Sequence, residues 1–525
     1  MEVQRSPRVV MRSNSKSIDS HARICVPVCA RSFAEMDQRA TRALDVGDII
    51  ELRLDCLDEQ ELSNATDRIT QVTDRLSIPV IITLRPAEQG GYSNFTLEQR
   101  EKFWQQLSRS NNVLFDVEFE MCAATVDDGS NIICSHHDFA GVPADIDWLY
   151  EKLANTRARI LKIAVNATDT VDCLSIFRLL ARAENEGTEL IALAMGDAGL
   201  TTRVLGPSRG AFLTYGALEE DSGTAPGQIT AEQMRSVYHI DKIDRQTHVH
   251  GLVGSPVMHS ISPHVHNAAF EAEGINAVYI PFEVKNLEAF IQRMVQPASR
   301  EMDWQLGGLS VTAPHKLAVM QYLDWIDPRA IEIGAVNTIV IDGDKLRGYN
   351  TDVDGFIEPL LTAIDLNVDS RAAVVGAGGA ANAVLWSLKK QGVEVVLFAR
   401  NVGKAQELAE KFEVTCKELD GAGFEGFDVV VNATPLGSFG ARQDQSPATS
   451  EQLRGVRLAY DLVYNPGETR FMREAAAVGC KTLGGMEMLV AQARRQFKLW
   501  TAKDAPAEVM HAAALRGLKT HEPRN

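Results

Sequence analysis

The chain has 525 residues, enough for two or more domains with full cores, and its 45% hydrophobic and 23% charged residues are those of an ordinary globular protein. Its formal net charge of −17 argues against non-specific nucleic-acid binding, and the lack of an apolar run of about 18 residues argues against a membrane-spanning helix. Most of the eight cysteines lie in apolar runs, as buried free thiols do, so we expect a reducing, cytoplasmic environment and no metal site.

The first half of the chain alternates between strand-like and helix-like segments. Residues 1–21 are rich in serine and basic residues and are predicted to be a disordered tail. Helix-periodic segments separate most of the apolar runs that follow. These runs begin near Ile24, Asp48, Pro79, Val113, Ile132, Arg159, Glu189 and Ala211. Eight such units predict a (β/α)8 (TIM) barrel over residues 22–240, with its chemistry at the carboxyl ends of the strands.

One lysine, Lys162, lies inside an apolar run, where an ammonium group is costly to bury. Taken alone, it is most simply explained as a strand-end lysine whose amine reaches solvent. Charged or titratable side chains, however, end five successive runs: Glu51 and Arg53, then Arg85, then Asp116 and Glu118, then His136, His137 and Asp138, and then Lys162. Because these strand ends converge in one small volume, we predict a polar active site there.

These residue types suggest a chemistry. A desolvated lysine can act as an amine nucleophile that forms an imine with a ketone. The imine acidifies the neighbouring carbon, and a histidine can take that proton and later protonate a leaving hydroxyl. Arg203, together with Arg53 or Arg85, is suited to hold a substrate carboxylate. From the residues alone, the first half is an imine-forming lyase or an aldolase.

Four ordered stretches resemble the signatures of type I 3-dehydroquinate dehydratases: 51–55 (ELRLD), 135–139 (SHHDF), 162–164 (KIA) and 224–228 (TAPGQ). The resemblance covers roughly residues 22–240. It implies Lys162 as the Schiff-base lysine and His137 as the general acid/base, and it gives His136 a structural role. It also implies a substrate pocket formed by Arg203, Thr224, Gln228, Glu51, Arg53 and Arg85. Gln89 stands where the family usually has an acid thought to tune the histidine, and Glu88 is a candidate to compensate for it.

A short polar stretch, residues 241–247, is predicted to be a linker, and a second β/α series begins at His248. Pro263 suits the first turn of a helix with Ser262 as its cap, and two nearby hydroxyls, those of Ser260 and Ser262, could cradle a carboxylate. Lys316 is expected in the first turn of another helix. A hairpin turning at residues 342–343 then leads to Asp352, which could pair with Lys316 to protonate a carbonyl oxygen.

Residues 372–381 read as a strand, a glycine-rich turn and a helix start, and residues 392–400 supply the second strand of a Rossmann unit. An acidic residue at the end of that second strand would indicate NAD. The chain instead has Arg400 there, followed by Lys404, and two cations favour the 2′-phosphate of NADP.

With the stretches at 428–437, 461–466 and 484–492, the second half resembles shikimate dehydrogenases across roughly residues 248–517. The resemblance implies Lys316 and Asp352 as the catalytic pair and Ser260 and Ser262 on the substrate carboxylate. It further implies substrate contacts from Thr312, Asn337, Tyr464 and Gln492. The NADP(H) contacts it implies are Gly376, Gly378, Gly379, Ala380, Ala381, Arg400, Lys404, Asn432 and Thr434. Ala313 and Ala399 depart from the family pattern, which prefers a branched residue at the first position and often has Asn at the second.

We therefore predict an α/β protein with a TIM barrel followed by a two-lobed unit. Its segments are a tail (1–21), the barrel (22–240), a linker (241–247), a substrate-binding lobe (248–365), a Rossmann lobe (366–484) and C-terminal helices that complete the substrate lobe (485–525). The predicted function is dehydration of 3-dehydroquinate to 3-dehydroshikimate, followed by NADPH-dependent reduction to shikimate. The predicted partners are these small-molecule substrates, with no nucleic acid or membrane partner and with a homo-oligomer left open. The alternatives are an NAD-dependent quinate/shikimate dehydrogenase fusion and a non-catalytic quinate-sensing protein.

Overall fold

A computed structural model describes residues 22–107, 112–125, 131–220 and 224–520. The predicted disordered tail therefore lies outside the described residues. Within the described ranges, no helix has the length and apolar composition needed to cross a bilayer.

The first half is a barrel of parallel strands. Within its described residues, the strands are β1 (Ile24–Cys29), β2 (Ile49–Arg53), β3 (Val80–Thr83), β4 (Val113–Glu118), β5 (Ile132–Asp138), β6 (Ile160–Asn166), β7 (Glu189–Met195) and β8 (Thr214–Tyr215). They pair in chain order, β8 pairs with β1, and a bridge between Leu190 and Ala211 brings β7 next to the β8 segment. The predicted barrel and its strand positions are confirmed, although the eighth strand starts three residues later than expected.

Helices follow most of the strands and cover the outside of the barrel. They are α1 (Phe33–Ala43), α2 (Glu59–Ser63), α3 (Ala65–Thr73), α4 (Leu97–Gln106), α5 (Phe119–Thr125), α6 (Ile146–Ala154), α7 (Cys173–Glu186), α8 (Leu200–Leu205) and α9 (Ala231–Ser236). The Ser32 hydroxyl caps α1 by accepting from the backbone N–H of Glu35.

One six-stranded mixed sheet follows within the continuously described stretch 224–520. Its strands are β9 (His248–Gly254), β10 (Ala277–Glu283), β11 (Gln305–Val311), β12 (Trp325–Ile326), β13 (Thr338–Asp342) and β14 (Lys345–Tyr349), in the order β10-β9-β11-β13-β14-β12. Its helices are α10 (Ser262–Ala272), α11 (Leu287–Phe290), α12 (Pro328–Ile333) and α13 (Asp352–Ala363). The predicted hairpin is present as β13 and β14.

A parallel six-stranded sheet forms the next lobe of the same stretch. Its strands are β15 (Arg371–Val375), β16 (Glu394–Ala399), β17 (Thr415–Glu418), β18 (Val429–Asn432), β19 (Leu458–Asp461) and β20 (Lys481–Leu483), in the order β17-β16-β15-β18-β19-β20. Its helices are α14 (Gly379–Lys390), α15 (Val402–Phe412) and α16 (Arg470–Ala477). The strands are added first on one side of β15, as β16 and β17, and then on its other side, from β18 to β20. This is the strand order of a Rossmann sheet, whose ligands bind where the order reverses.

Two C-terminal helices, α17 (Gly485–Thr501) and α18 (Ala507–Thr520), return to the substrate lobe. Phe497 and Met510 share one apolar cluster with Val257, Ile261 and Phe270 of that lobe. The contacts are those expected of helices that complete the substrate lobe.

The largest apolar core does not stop at the end of the barrel. One continuous cluster runs from the barrel strands through Ile240 and Ile243 into Val249, Phe290 and Trp304 of the substrate lobe. The Rossmann lobe has separate clusters on the two faces of its sheet. The barrel and the substrate lobe are therefore packed together as one body.

Three local expectations are wrong. Ser262 is the first residue of α10 rather than its cap, because Ile261 occupies the cap position. Lys316 precedes a short 3-10 helix, Ala318–Tyr322, instead of opening an α-helix. Cys29 forms a disulfide with Cys56 across a Cα–Cα distance of 5.4 Å, because neighbouring strands β1 and β2 bring their ends together.

Candidate active sites

The predicted residues of the first half meet in one cavity at the carboxyl ends of the barrel strands. The cavity opens to solvent, and its empty space, counted with the open mouth, is about 480 Å³. Its lining includes Glu51, Arg53, Arg85, His137, Lys162, Arg203, Thr224 and Gln228. Strand register explains this convergence, because Ser135 of β5 lies beside Glu118 of β4 on one side and Lys162 of β6 on the other. Side chains two residues apart on these strands point to the same face.

Lys162 lies at the bottom of this cavity with a side chain about 5% exposed. Its amine donates to Asp116 Oδ2 at 2.7 Å and to the Tyr215 hydroxyl at 2.8 Å, and it lies 3.8 Å from Glu51 Oε1. An amine in this position does not extend into solvent, so the explanation of Lys162 as a strand-end lysine whose amine reaches solvent is wrong. A positively charged nitrogen here is stabilised by a buried carboxylate.

Asp116 holds two cations at once. Its Oδ1 accepts from Arg85 Nη2 at 2.6 Å while its Oδ2 accepts from Lys162. Burial alone would raise the pKa of Asp116, but the Arg85 and Lys162 cations hold that pKa well below its usual range. Asp116 is therefore a fixed negative charge beside the lysine nitrogen.

His137 is held in its neutral form. Burial, the Arg85 guanidinium and the Lys162 ammonium lower the pKa of His137 well below its usual value, against the opposing charge of Asp116. Its Nδ1 has no hydrogen-bond partner within the described part of the chain. A neutral imidazole with a free nitrogen at a cavity wall can accept a proton.

The three arginines of the cavity differ in their pairing. Arg53 forms a two-point ion pair with Asp55, at 3.0 and 2.7 Å, and Arg85 is held by Asp116. Arg203 is about 1% exposed, and its Nε and Nη2 have no partner among the described residues. Burial lowers the pKa of Arg203 to about 10, as expected for a desolvated cation that has no counter-ion in the described part of the chain. A substrate carboxylate would supply that counter-ion.

Sequence reasoning missed two functional residues of this site. It noted Asp116 as a strand-end charge but gave it no role, and it did not single out Tyr215. The alternation of Asp116 with Glu118 was a usable signal, whereas Tyr215 lies on a strand of only two residues. Gln89 does line the cavity, with its Nε2 3.4 Å from Glu120 Oε2, while the exposed Glu88 is not among the lining residues.

The second site is built around Lys316 and Asp352. Lys316 Nζ lies 2.5 Å from Asp352 Oδ2, so the predicted contact is present. The Asn337 amide donates to Asp352 Oδ1 at 2.8 Å and to the Thr351 hydroxyl at 3.0 Å. Asn337 opens the hairpin and Asp352 opens α13, so the sheet and the helix fix the carboxylate from both sides.

The other predicted residues of this lobe lie on several of its elements. The Ser260 and Ser262 hydroxyls are 3.0 Å apart, and burial raises the pKa of Tyr464, whose hydroxyl reaches Ser260. Gln492 lies on α17, close to α13. A Cβ added to Gly355 of α13 would lie only 2.6 Å from the Gln492 Cβ. Thr312 follows β11, with its backbone N–H bonded to Val253 at 2.9 Å.

The glycine-rich turn follows β15 and leads into α14. Gly376 has a φ of +106°, and an added Cβ there would lie 2.6 Å from the Thr434 methyl group. A Cβ added to Gly379 would meet no described atom within 4 Å, and Gly378 and Ala380 beside it are exposed or half-buried, so the amino end of α14 is open to a phosphate-bearing ligand. Ala381 is buried, and its backbone N–H donates to the Gly378 carbonyl at 3.0 Å.

Two exposed cations, Arg400 and Lys404, follow β16, as the sequence predicted. The donor set therefore fits a dinucleotide that carries an additional phosphate. Asn432 is fully engaged inside the protein: its amide donates to Asp461 at 2.9 Å, and its oxygen accepts from the Thr434 hydroxyl at 2.6 Å. Asn432 thus shapes the loop at Thr434 through these bonds.

Comparison with known families agrees with this division of the chain. Residues 24–245 match the model described as type I 3-dehydroquinase, and residues 252–339 match the shikimate dehydrogenase substrate binding domain. Residues 362–461 match shikimate / quinate 5-dehydrogenase, and residues 485–515 match the shikimate 5′-dehydrogenase C-terminal domain.

Three relatives illustrate the similarity. A bifunctional 3-dehydroquinate dehydratase/shikimate dehydrogenase of Arabidopsis thaliana, labelled chloroplastic, is 33% identical over 95% of this chain and 86% of its own length. A shikimate dehydrogenase (NADP(+)) of Oleidesulfovibrio alaskensis is 44% identical over 51% of this chain and 94% of its own. Among solved structures, a dehydroquinate dehydratase and shikimate dehydrogenase from S. pombe is 25% identical, covers 94% of this chain and 98% of its own, and has a TM-score of 0.43.

Proposed function

Because the chain belongs to the family of bifunctional 3-dehydroquinate dehydratase/shikimate dehydrogenases, we propose that its barrel dehydrates 3-dehydroquinate through an imine on Lys162 and that its second half reduces the product to shikimate with NADPH. The observation that carries the first step is the buried Lys162 amine beside Asp116, in the same cavity as His137 and as Arg203, whose Nε and Nη2 have no partner among the described residues.

In the barrel, Arg203 binds the substrate carboxylate and places the ketone next to Lys162. The lysine nitrogen adds to the carbonyl carbon, and loss of water leaves a positively charged imine. Asp116 stabilises that charge at the site where it already pairs with the ammonium group. His137 then takes the proton from the neighbouring carbon and returns it to the departing hydroxyl, which leaves as water. Water finally hydrolyses the imine, releasing 3-dehydroshikimate and the free amine.

In the second half, Ser260 and Ser262 bind the carboxylate of 3-dehydroshikimate, and Lys316 donates the proton that the carbonyl oxygen requires. Asp352 orients the Lys316 amine, and Asn337 orients Asp352. Tyr464, Gln492 and Thr312 contact the ring and hydroxyls.

The cofactor of this half is NADP(H), which supplies the hydride when bound. The glycine turn at residues 376–379 and the start of α14 would hold its pyrophosphate, and Arg400 with Lys404 would bind its 2′-phosphate. The named shikimate dehydrogenase relatives are NADP(+) enzymes, which supports this assignment.

We also propose a cytoplasmic location. Among the described residues, six cysteines are free, and most of them are buried, as in a reducing compartment. The Cys29–Cys56 disulfide and the chloroplastic label of the Arabidopsis relative point elsewhere. Imaging of the tagged full-length chain in its own cells tests this location.

A coupled assay tests the whole proposal. The full chain, given 3-dehydroquinate and NADPH, should oxidise NADPH in proportion to shikimate formed, while NADH should be used poorly. Borohydride added with 3-dehydroquinate should leave a stable adduct on Lys162, located by peptide mass spectrometry. Intact Lys162 in an active enzyme would refute the imine, and equal use of NADH would favour an NAD-dependent quinate/shikimate dehydrogenase.

A further inference from the structure

A short segment at the end of β10 connects the barrel to the dehydrogenase site. We call residues 283–286 the joint segment. On the barrel side, the Thr170 hydroxyl donates to the backbone carbonyl of Glu283 at 3.0 Å. The backbone N–H groups of Lys285 and Asn286 both donate to Asp169 Oδ2, at 2.8 and 2.9 Å. Three backbone groups are thus held by two side chains of the loop that follows β6, the strand carrying Lys162.

The other side of the joint segment faces the dehydrogenase site. The Glu283 carboxylate accepts from the Ser255 hydroxyl and, at 3.0 Å, from the backbone N–H of Val257. These two residues begin the loop that runs on to Ser260 and Ser262. The Glu283 side chain therefore fixes the start of the loop whose hydroxyls are proposed to bind the substrate carboxylate.

The joint segment also contacts the residue before Lys316. His315 Nε2 lies 2.7 Å from the backbone carbonyl of Val284, and since a carbonyl can only accept, the histidine donates. His315 is about 6% exposed. This hydrogen bond fixes the turn from which the Lys316 side chain extends toward Asp352.

Two properties make the joint a rigid support. Thr170 and Glu283 are 0% and 7% exposed, so water cannot easily replace their hydrogen bonds. The barrel loop is itself tied down, because the Asp172 carboxylate accepts from the backbone N–H groups of Thr168 and Asp169, and the Ala167 N–H bonds to Met195 at 2.9 Å. A change at the loop therefore has few ways to relax except through the joint segment.

We propose that Asp169 and Thr170 of the barrel are positioning residues for the dehydrogenase, holding the serine loop and the Lys316 turn through the joint segment. Neither residue lines the barrel cavity. The barrel thus helps to hold the dehydrogenase site of the same chain in position. This inference rests on the proposed function, because it assigns Ser260, Ser262 and Lys316 to shikimate chemistry.

The test uses the full chain with Thr170→Val and Asp169→Ala, singly and combined. Thr156→Val is the matched control, because the Thr156 hydroxyl also donates to a barrel carbonyl, at 2.7 Å, but does not contact the joint. Thr170→Val removes one buried hydrogen bond, which corresponds to roughly fivefold in an equilibrium constant, so we expect it to raise the KM for shikimate by about that factor. Asp169→Ala removes two hydrogen bonds at exposed positions and should raise the same KM. The KM for NADP and the dehydratase kcat/KM should stay within about twofold of the parent values, since both sites rest on other elements.

Thr170→Ser restores the hydroxyl and should restore the parent KM for shikimate, which a general loss of folded protein would not allow. An unchanged KM for shikimate in the combined variant would overturn the inference. So would an equal fall of the dehydratase and dehydrogenase activities in the Thr170→Val variant that Thr170→Ser shows as well. A parent chain that does not oxidise shikimate at all would refute the proposed function, and the inference with it. If the parent chain oxidises shikimate and the variants have the parent KM for shikimate, only the positioning role is refuted.

Discussion

Replacing Asp116 with asparagine tests the electrostatic support of the imine. The substitution keeps the size of the side chain and one acceptor oxygen but removes the charge that lies 2.7 Å from Lys162 Nζ and 2.6 Å from Arg85 Nη2. At an effective dielectric constant of about 20, unit charges at that separation attract by roughly 6 kcal/mol. Part of this energy is shared with Arg85, and part is offset by desolvation of the carboxylate.

We expect Asp116→Asn to lower the dehydratase kcat roughly 10²- to 10³-fold, which corresponds to a loss of about 3 to 4 kcal/mol of transition-state stabilisation. This is the loss typical of removing a preorganised stabilising group from an active site. The assay follows the ultraviolet absorbance of the conjugated enone product at saturating 3-dehydroquinate. Dehydrogenase activity of the same sample measures the amount of folded chain, because its catalytic pair lies on different elements. Asp147→Asn, at an exposed ion pair with Arg178, is the control.

The accompanying borohydride experiment should show slower formation of the Lys162 adduct in Asp116→Asn. A dehydratase kcat within tenfold of the parent, with normal adduct formation, would refute the view that this carboxylate stabilises the positively charged imine.

Three further outcomes are expected. Lys316→Ala should abolish NADPH-dependent reduction of 3-dehydroshikimate and leave dehydratase turnover intact, and parallel loss of both in steady-state assays would contradict the assignment. Arg400→Asp should raise the KM for NADPH at least about tenfold, because a carboxylate repels the 2′-phosphate. It should also improve the use of NADH, because a carboxylate accepts a hydrogen bond from a ribose hydroxyl. The control, Arg473→Asp, changes an exposed residue on α16 of the same lobe and should alter neither the KM for NADPH nor that for NADH. Because the pKa of His137 lies well below its usual value, its neutral, proton-accepting form persists as pH falls through about 6.5, so dehydratase kcat/KM should decline only at lower pH; a decline centred at or above 6.5 would contradict this.

The sequence was sufficient for the elements that depend on local pattern. Apolar runs placed the first seven barrel strands to within one residue, and the order of the motifs brought Lys162, His137 and Arg203 to one cavity. The Lys316–Asp352 contact was also correct, although the helix expected around Lys316 is absent. Parallel strands in a closed barrel leave little choice about where their ends meet, so chain order alone determined this geometry.

Contacts between elements distant in sequence could not be read in the same way. Tyr215 reaches Lys162 from a two-residue strand that has no recognisable alternation. Cys29 and Cys56 are 27 residues apart and meet only because β1 and β2 are neighbours. Arg53 and Arg85 pair with carboxylates, whereas Arg203 has no such partner among the described residues; this difference is a property of the packed site rather than of any motif.

The continuous apolar core between the barrel and the substrate lobe has a consequence for how the gene can be divided. Sequence families split the chain near residue 245, but the hydrophobic cluster crosses that point without interruption. A fragment ending there would expose apolar surface that the intact chain keeps dry, and such surface promotes aggregation. We therefore expect the barrel and the substrate lobe to unfold together in a thermal melt. The Rossmann lobe has apolar clusters apart from that core, one of which also takes in Phe356 and Leu360 of α13 and so joins this lobe to the helix that begins with Asp352.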